Sequence, residues 1–135
     1  MVDNLTKDKR SKIMRSIKSK DTKPELIVRK LLTQLGYRYR LHRKDLPGKP
    51  DIAFISRKKA VFVHGCFWHG HLNCKISHIP ESEFWRNKLS KNQERDLKAS
   101  SAMLESGWET LIVWECELTD INKVAIKLLD FLTHS

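Results

Sequence analysis

Eleven consecutive residues hold most of the reactive side chains of this sequence. His64-Gly65-Cys66-Phe67-Trp68-His69-Gly70-His71-Leu72-Asn73-Cys74 carries three histidines and two cysteines, out of six and three in the whole chain. Zinc takes four Cys and His ligands in tetrahedral array. Cys66, His71 and Cys74 read as C-x4-H-x2-C, and Cys116 stands 42 residues further on, at the end of an apolar run that reads as a buried strand. A strand end can return beside a loop, so a Cys3His zinc site using every cysteine is expected. With all four positions filled by protein, such a zinc is structural. The plain alternative, cysteines as small buried hydrophobes, leaves the clustering unexplained. His64 and His69 compete with His71 as the nitrogen ligand. If His71 binds the metal, the other two are free in a loop the metal makes rigid, suited to acid–base work.

Two carboxylates stand apart from that loop. Asp51 follows Pro50 at the start of a strand, and the next strand ends at Val63-His64. In a hairpin those ends can face each other, and a carboxylate there suits a hard divalent cation. Read plainly, Asp51 closes a turn and Glu25 is a helix-capping acid. Adjacent Phe67 and Trp68 at a loop tip are costly to expose. Wedging between base steps of DNA would use them.

The elements that position these residues follow from local pattern. Thr22-Lys23-Pro24-Glu25 is a capping box with proline in the first turn. Leu26, Ile27, Leu31, Leu32 and Leu35 recur on one helical face, and Gly36 ends the helix. Tyr37 to Leu41 alternates as a strand. Pro47 to Pro50 is a turn, Asp51–Ile55 and Ala60–Val63 make a hairpin, and Glu81–Ser106 is a long helix. On that helix Trp85, Lys88, Asn92 and Arg95 share a face, which suits Lys88 and Asn92 to reading base edges. Trp108–Trp114 is a third apolar strand. Residues 120–132 form a final helix with Val124, Ile126, Leu128, Leu129 and Phe131 inward. The expected fold is α/β: a central mixed β-sheet of four or five strands flanked by helices.

The chain has 135 residues, enough for one domain with its own core. Residues 1–20 read as a basic N-terminal DNA-binding arm, with Ile13, Met14 and Ile17 as its large apolar residues, and 21–135 as a single domain. No apolar run approaches the ~18–20 residues of a membrane span. The first residues contain no secretory apolar stretch, so a cytoplasmic protein without a membrane partner is expected. The net charge is +10, and it is uneven: the first 50 residues hold 15 basic and 5 acidic side chains, the other 85 hold 11 of each. Such asymmetry is the footprint of a polyanion-binding face. An odd cysteine count argues against a disulfide framework.

Several strings together resemble the very short patch repair (Vsr) endonucleases. They are Glu25 at a helix start, Leu46-Pro47-Gly48-Lys49-Pro50-Asp51, His64-Gly65-Cys66-Phe67-Trp68-His69, Phe84-Trp85, Lys91-Asn92-Gln93-Glu94-Arg95-Asp96 and Trp114-Glu115-Cys116. Arg10 to Arg15 and Asp21-Thr22 also match, so the resemblance spans roughly residues 9–117. It implies a restriction-endonuclease-like fold of the PD-(D/E)xK type and a magnesium-dependent nick 5′ to the thymine of a T·G mismatch, the product of 5-methylcytosine deamination. It implies Asp51 as the magnesium-binding aspartate, helped by the backbone carbonyl of Val63, and His69 as general base. By the same resemblance His64 and Glu25 would be the supporting active-site residues, Cys66, His71, Cys74 and Cys116 the structural zinc ligands, and Phe67, Trp68 and Trp85 the aromatic wedge. Met14, Ile17, Lys88 and Asn92 are expected to contact DNA. The implied partners are mismatched double-stranded DNA, a functionally linked cytosine-5 methyltransferase, and mismatch-repair and DNA polymerase proteins. A family member compared position by position has threonine where this chain has Val63, and its zinc loop is one residue shorter between His71 and Cys74. Two rival readings use the same residues: a non-catalytic zinc-stabilised nucleic-acid-binding module, and a thiol hydrolase pairing Cys66 with His69.

Overall fold

A computed structural model describes residues 21–71, 74 and 82–134. The expected basic arm, with Met14 and Ile17, lies outside the described residues. Among them the order is α1 (Lys23–Gln34), β1 (Arg40–Leu41), β2 (Ile52–Phe54), β3 (Lys59–His64), α2 (Glu83–Glu105), β4 (Glu109–Trp114) and α3 (Ile121–Thr133). Two short 3-10 turns, Ile55–Arg57 and Glu115–Thr119, follow β2 and β4. The expected sequence of elements is therefore present, with four strands in the order β1-β2-β3-β4.

The sheet is mixed for a topological reason. β2 and β3 are joined by a tight turn, with Lys58 in the left-handed region (φ 52°), and pair antiparallel. β3 and β4 are joined through the long α2 crossover and pair parallel. Each strand shows alternate side chains to opposite faces. Ile52, Phe54, Val61 and Val113 meet Val28, Leu31 and Leu32 of α1 and Val124, Leu128 and Leu132 of α3. On the other face, Ala53 and Ala60 pack with Met103 at the end of α2 and with Trp108. The small alanines on that face leave room for a helix to lie close.

Three local expectations are corrected. Tyr37–Leu41 is not all strand, since only Arg40 and Leu41 pair with β2. The apolar alternation there serves packing: the Tyr37 and Tyr39 rings meet Phe54 edge-on at 6.2 and 6.4 Å. Leu26 is 46% exposed because the inward stripe of α1 runs through Glu25, Val28 and Leu32. Ile126 is 67% exposed, since Val124, Leu128 and Leu132 occupy the buried face at four-residue spacing. Both errors come from counting apolar residues without knowing which arc of the helix faces the sheet.

No helix among the described residues is long and apolar enough to cross a membrane.

Candidate active site

A cleft of about 1090 Å³ opens where β2 begins and β3 ends, with α2 along one wall. Asp51, Val63, His64, Phe67, Trp68, His69, Asn92 and Asp96 line it, together with Lys44, Lys49, Lys88 and Arg95. The antiparallel register puts Ile52 opposite Val61, so Asp51 arrives beside the far end of β3. There the Val63 amide donates to Asp51 Oδ2 at 2.7 Å. The facing of Asp51 and the strand end expected from sequence is thus observed.

The acid side of the cleft is buried and crowded. Glu25 is 1% exposed. Thr22 Oγ1 caps α1 by accepting from the Glu25 amide at 3.4 Å, and Glu25 Oε1 accepts from the Asp21 amide at 3.3 Å. Glu25 Oε2 faces His42 Nε2 at 2.8 Å and Arg29 Nη1 at 3.2 Å. Asp51 lies against Glu25. Burial pushes the Asp51 carboxyl up to about 6; the Val63 amide opposes this, the Glu25 charge adds to it, and His42 works against it.

The histidine side is built on β3 and α2. His64, 5% exposed, ends β3, and its ring lies flat on that of His69 (centroids 3.7 Å, 3° between planes). His69 Nδ1 is 2.6 Å from Asp96 Oδ2, while His64 Nδ1 is 4.0 Å from the same oxygen and has no hydrogen-bond partner. Burial, reinforced by His69 and partly offset by Asp96, brings His64 down to about 4, so its ring is neutral at pH 7. If Asp96 accepts from Nδ1–H of His69, a neutral ring has its lone pair at Nε2.

The thiol corner lies behind this wall. The ligand atoms of Cys66, His71, Cys74 and Cys116 all fall within 4.8 Å of one another. A tetrahedral zinc with Zn–S of about 2.3 Å holds its sulfurs about 3.8 Å apart, so the set matches one ion after slight contraction. His71, rather than His64 or His69, is the nitrogen donor gathered with the thiols. Its ring stacks on Trp114 (4.0 Å, 4°), and its Nδ1 lies 3.4 Å from Cys116 Sγ. Burial pushes the Cys66 thiol up to about 12 and raises that of Cys116, so both are protonated until a cation replaces the protons. Strand pairing closes this corner: His64 lies opposite Trp114, which brings the Cys66 loop beside Cys116.

Phe67 and Trp68 meet each other edge-on at 4.8 Å and rest on Trp85 at 5.2 and 5.8 Å. Trp85 is 1% exposed, so it forms the floor under the pair and does not line the cleft with Lys88, Asn92 and Arg95. Two amides of α2 hold the loop: Asn92 Nδ2 donates to the Trp68 carbonyl at 2.7 Å, and Gln93 Nε2 to that of Gly70 at 3.1 Å. A Cβ at Gly70 would come within 2.5 Å of Gln93 Nε2, at a φ of 60° that side chains rarely adopt, so any side chain here would push the Gln93 amide off the Gly70 carbonyl.

Comparison with known proteins places the chain among DNA endonucleases. The sequence pattern of the family described as DNA mismatch endonuclease Vsr matches residues 2–75. The type II nicking enzyme V.XorIIP of Xanthomonas oryzae pv. oryzae is 46% identical over 137 aligned positions, 100% of each chain. The chain belongs to the Vsr family of DNA mismatch endonucleases. The DNA mismatch endonuclease Vsr of Escherichia coli (strain K12) is 41% identical over 131 residues, covering 96% of this chain and 83% of that one. The catalytic domain of the homing endonuclease I-Bth0305I has the same fold, with TM-score 0.60 at 22% identity, over 82% of this chain and 94% of that one. This Vsr chain is therefore an endonuclease acting on DNA, on a nuclease-type mixed sheet.

Sequence reasoning assigned no role to Asp96 and did not single out His42. Asp96 was legible in part: it stands four residues after Asn92 on the same helical face. His42 carried no local signal.

Proposed function

We propose that this Vsr chain nicks one strand of duplex DNA on the 5′ side of the thymine in a T·G mismatch, with magnesium at Asp51 and zinc at Cys66, His71, Cys74 and Cys116. The observation that carries the reading is the His69–Asp96 pair at 2.6 Å facing Asp51 across one basic, aromatic-rimmed cleft. A nick needs a deprotonated water, a polarised phosphate and a way to open the duplex, and the cleft has a group for each.

Asp51 and the Val63 carbonyl would hold magnesium; a hard ion that keeps several waters needs only one or two carboxylates and the substrate phosphate. When bound, that ion polarises the phosphate and acidifies water. His69 accepts the proton of the attacking water at Nε2, while Asp96 holds Nδ1–H and steadies the imidazolium that forms. His64, neutral and stacked on His69, keeps that ring's plane. Glu25 shapes the acid side through Asp51. Lys44, Lys49, Lys88 and Arg95 would grip phosphates, which makes affinity fall steeply with salt.

Phe67 and Trp68 act as the wedge, with Trp85 as their seat. Opening a base step costs a few kcal/mol, and less beside an unstable pair, which favours the mismatch. Asn92, whose amide holds the Trp68 carbonyl, couples wedge position to the base-reading face of α2. The basic arm 1–20, with Met14 and Ile17, would clamp the duplex from outside the single domain 21–135. Soft sulfur and nitrogen donors suit zinc in the closed Cys3His set. A methyltransferase making 5-methylcytosine is the functionally linked enzyme, and repair synthesis must follow the nick.

The test uses labelled duplexes, T·G-mismatched and matched, with and without magnesium. Magnesium-dependent nicking of the mismatched strand alone is expected. An intact T·G duplex in magnesium would overturn the reading and favour a non-catalytic binding module.

A further inference from the structure

We propose that His42 is a positioning residue for the acid side of the cleft: its ring orients the Glu25 carboxylate against Asp51 while its main chain holds the Asp51 backbone. The inference rests on the reading of Asp51 as the cation-holding carboxylate, and it gives Glu25 a role that capping does not supply.

Glu25 divides its two oxygens between two jobs. Oε1 accepts from the Asp21 amide and so belongs to the start of α1. Oε2 is not needed there. It faces His42 Nε2 at 2.8 Å, its shortest contact, and Arg29 Nη1 at 3.2 Å. Arg29 is shared: the same Nη1 lies 2.7 Å from Asp21 Oδ1, on a more exposed acid. His42 has no such rival, so it is the partner that sets the angle of a carboxylate with 1% exposure.

The backbone of His42 is arranged for this. Its φ of 49° is in the left-handed region, which a residue with a Cβ adopts at a modest cost. What holds it is its own amide, which donates to the Asp51 carbonyl at 3.1 Å, one residue beyond the β1–β2 ladder. That kink turns the ring back across the sheet edge to α1. One residue thus touches both acids, Asp51 through the main chain and Glu25 through the side chain. Arg43, its neighbour, is spent on Asp45 at 2.7 Å and does not compete.

The experiment uses the full chain with two substitutions, His42→Ala and His42→Gln; a glutamine amide can reach the place of Nε2. Nicking of a T·G duplex in magnesium is measured as kcat and KM, and manganese binding to the protein is measured by electron paramagnetic resonance. For the alanine variant, kcat is expected to fall about tenfold to a hundredfold with KM for DNA unchanged, the loss expected for one hydrogen bond to a buried charge. Manganese affinity falls with it, and the glutamine variant recovers most of both. A kcat within about twofold of wild type, a change in KM alone, or a loss that glutamine does not repair overturns the proposal. If the wild-type chain leaves T·G duplexes whole, the functional reading fails, and the manganese measurement alone decides the role of His42. If the alanine variant does not fold, the glutamine variant and Glu25→Gln decide it: the former must keep, and the latter must lose, manganese affinity.

Discussion

Two corners of this molecule gather groups suited to a cation, and they are built in opposite ways. The Cys66, His71, Cys74 and Cys116 corner draws soft donors from two segments joined by β3–β4 pairing, and all four face one another. The Asp51–Glu25 corner draws hard oxygen donors from a helix start and a strand start, and its Asp51 opens onto the cleft. Closed soft donors hold a fold together, whereas open hard donors leave positions for water and phosphate. On the proposed reading, the difference teaches that stability and chemistry are assigned to separate corners. Losses at the first corner should appear in unfolding, and losses at the second in turnover.

The largest expected effect tests the open corner. Asp51→Asn should lower nicking by at least about a thousandfold while duplex affinity changes by less than about threefold, because cation-assisted hydrolysis is lost and the phosphate grip is kept. Single-turnover kinetics beside a gel shift checks both, and matching losses in the two would erase the distinction. Next comes the closed corner. On the proposed zinc assignment, Cys116→Ser should remove stoichiometric zinc and lower the melting temperature by about 10 °C or more, since a metal bound here would contribute folding free energy. Metal analysis with calorimetry reads this out; an unchanged melting point would mean that the thiols do not staple the loop.

The cleft wall comes third. His69→Ala should lower kcat about a hundredfold to a thousandfold, and Asp96→Asn about tenfold, as expected for removing a general base and then only its orienting partner. Equal losses would make Asp96 more than a support. The smallest effect is in pH. A carboxyl that binds a cation must first shed its proton, and Asp51 is pushed up to about 6. Magnesium affinity should therefore rise as pH climbs through 6 and level off above 7, roughly tenfold between pH 5 and 6.5. Titration calorimetry of wild type against Glu25→Gln sharpens the assignment, because loss of the Glu25 charge should move the step to lower pH. His64, neutral well above pH 4, should contribute no step of its own in that range.

Much of this was written in local sequence. The order of elements, the Thr22 cap, the hairpin and the long α2 rest on periodicity and turn chemistry within a few residues, and the structure reproduces them within one or two positions. The Cys and His cluster was visible because its members lie within one loop, and the facing of Asp51 with Val63 followed from hairpin geometry. Tertiary structure decided whatever depended on which arc of a helix turns inward and which distant groups meet. It turned Leu26 and Ile126 to solvent, sank Trp85 beneath Phe67 and Trp68, and chose His71 over His64 and His69 for the thiols. It also brought Asp96 to His69 and His42 to Glu25, pairs 27 and 17 residues apart. Composition and spacing carry short-range rules, which the chain obeys wherever it lies. A hydrogen bond across the fold depends on strand register and helix rotation, and those emerge only when the two faces of the sheet are packed together.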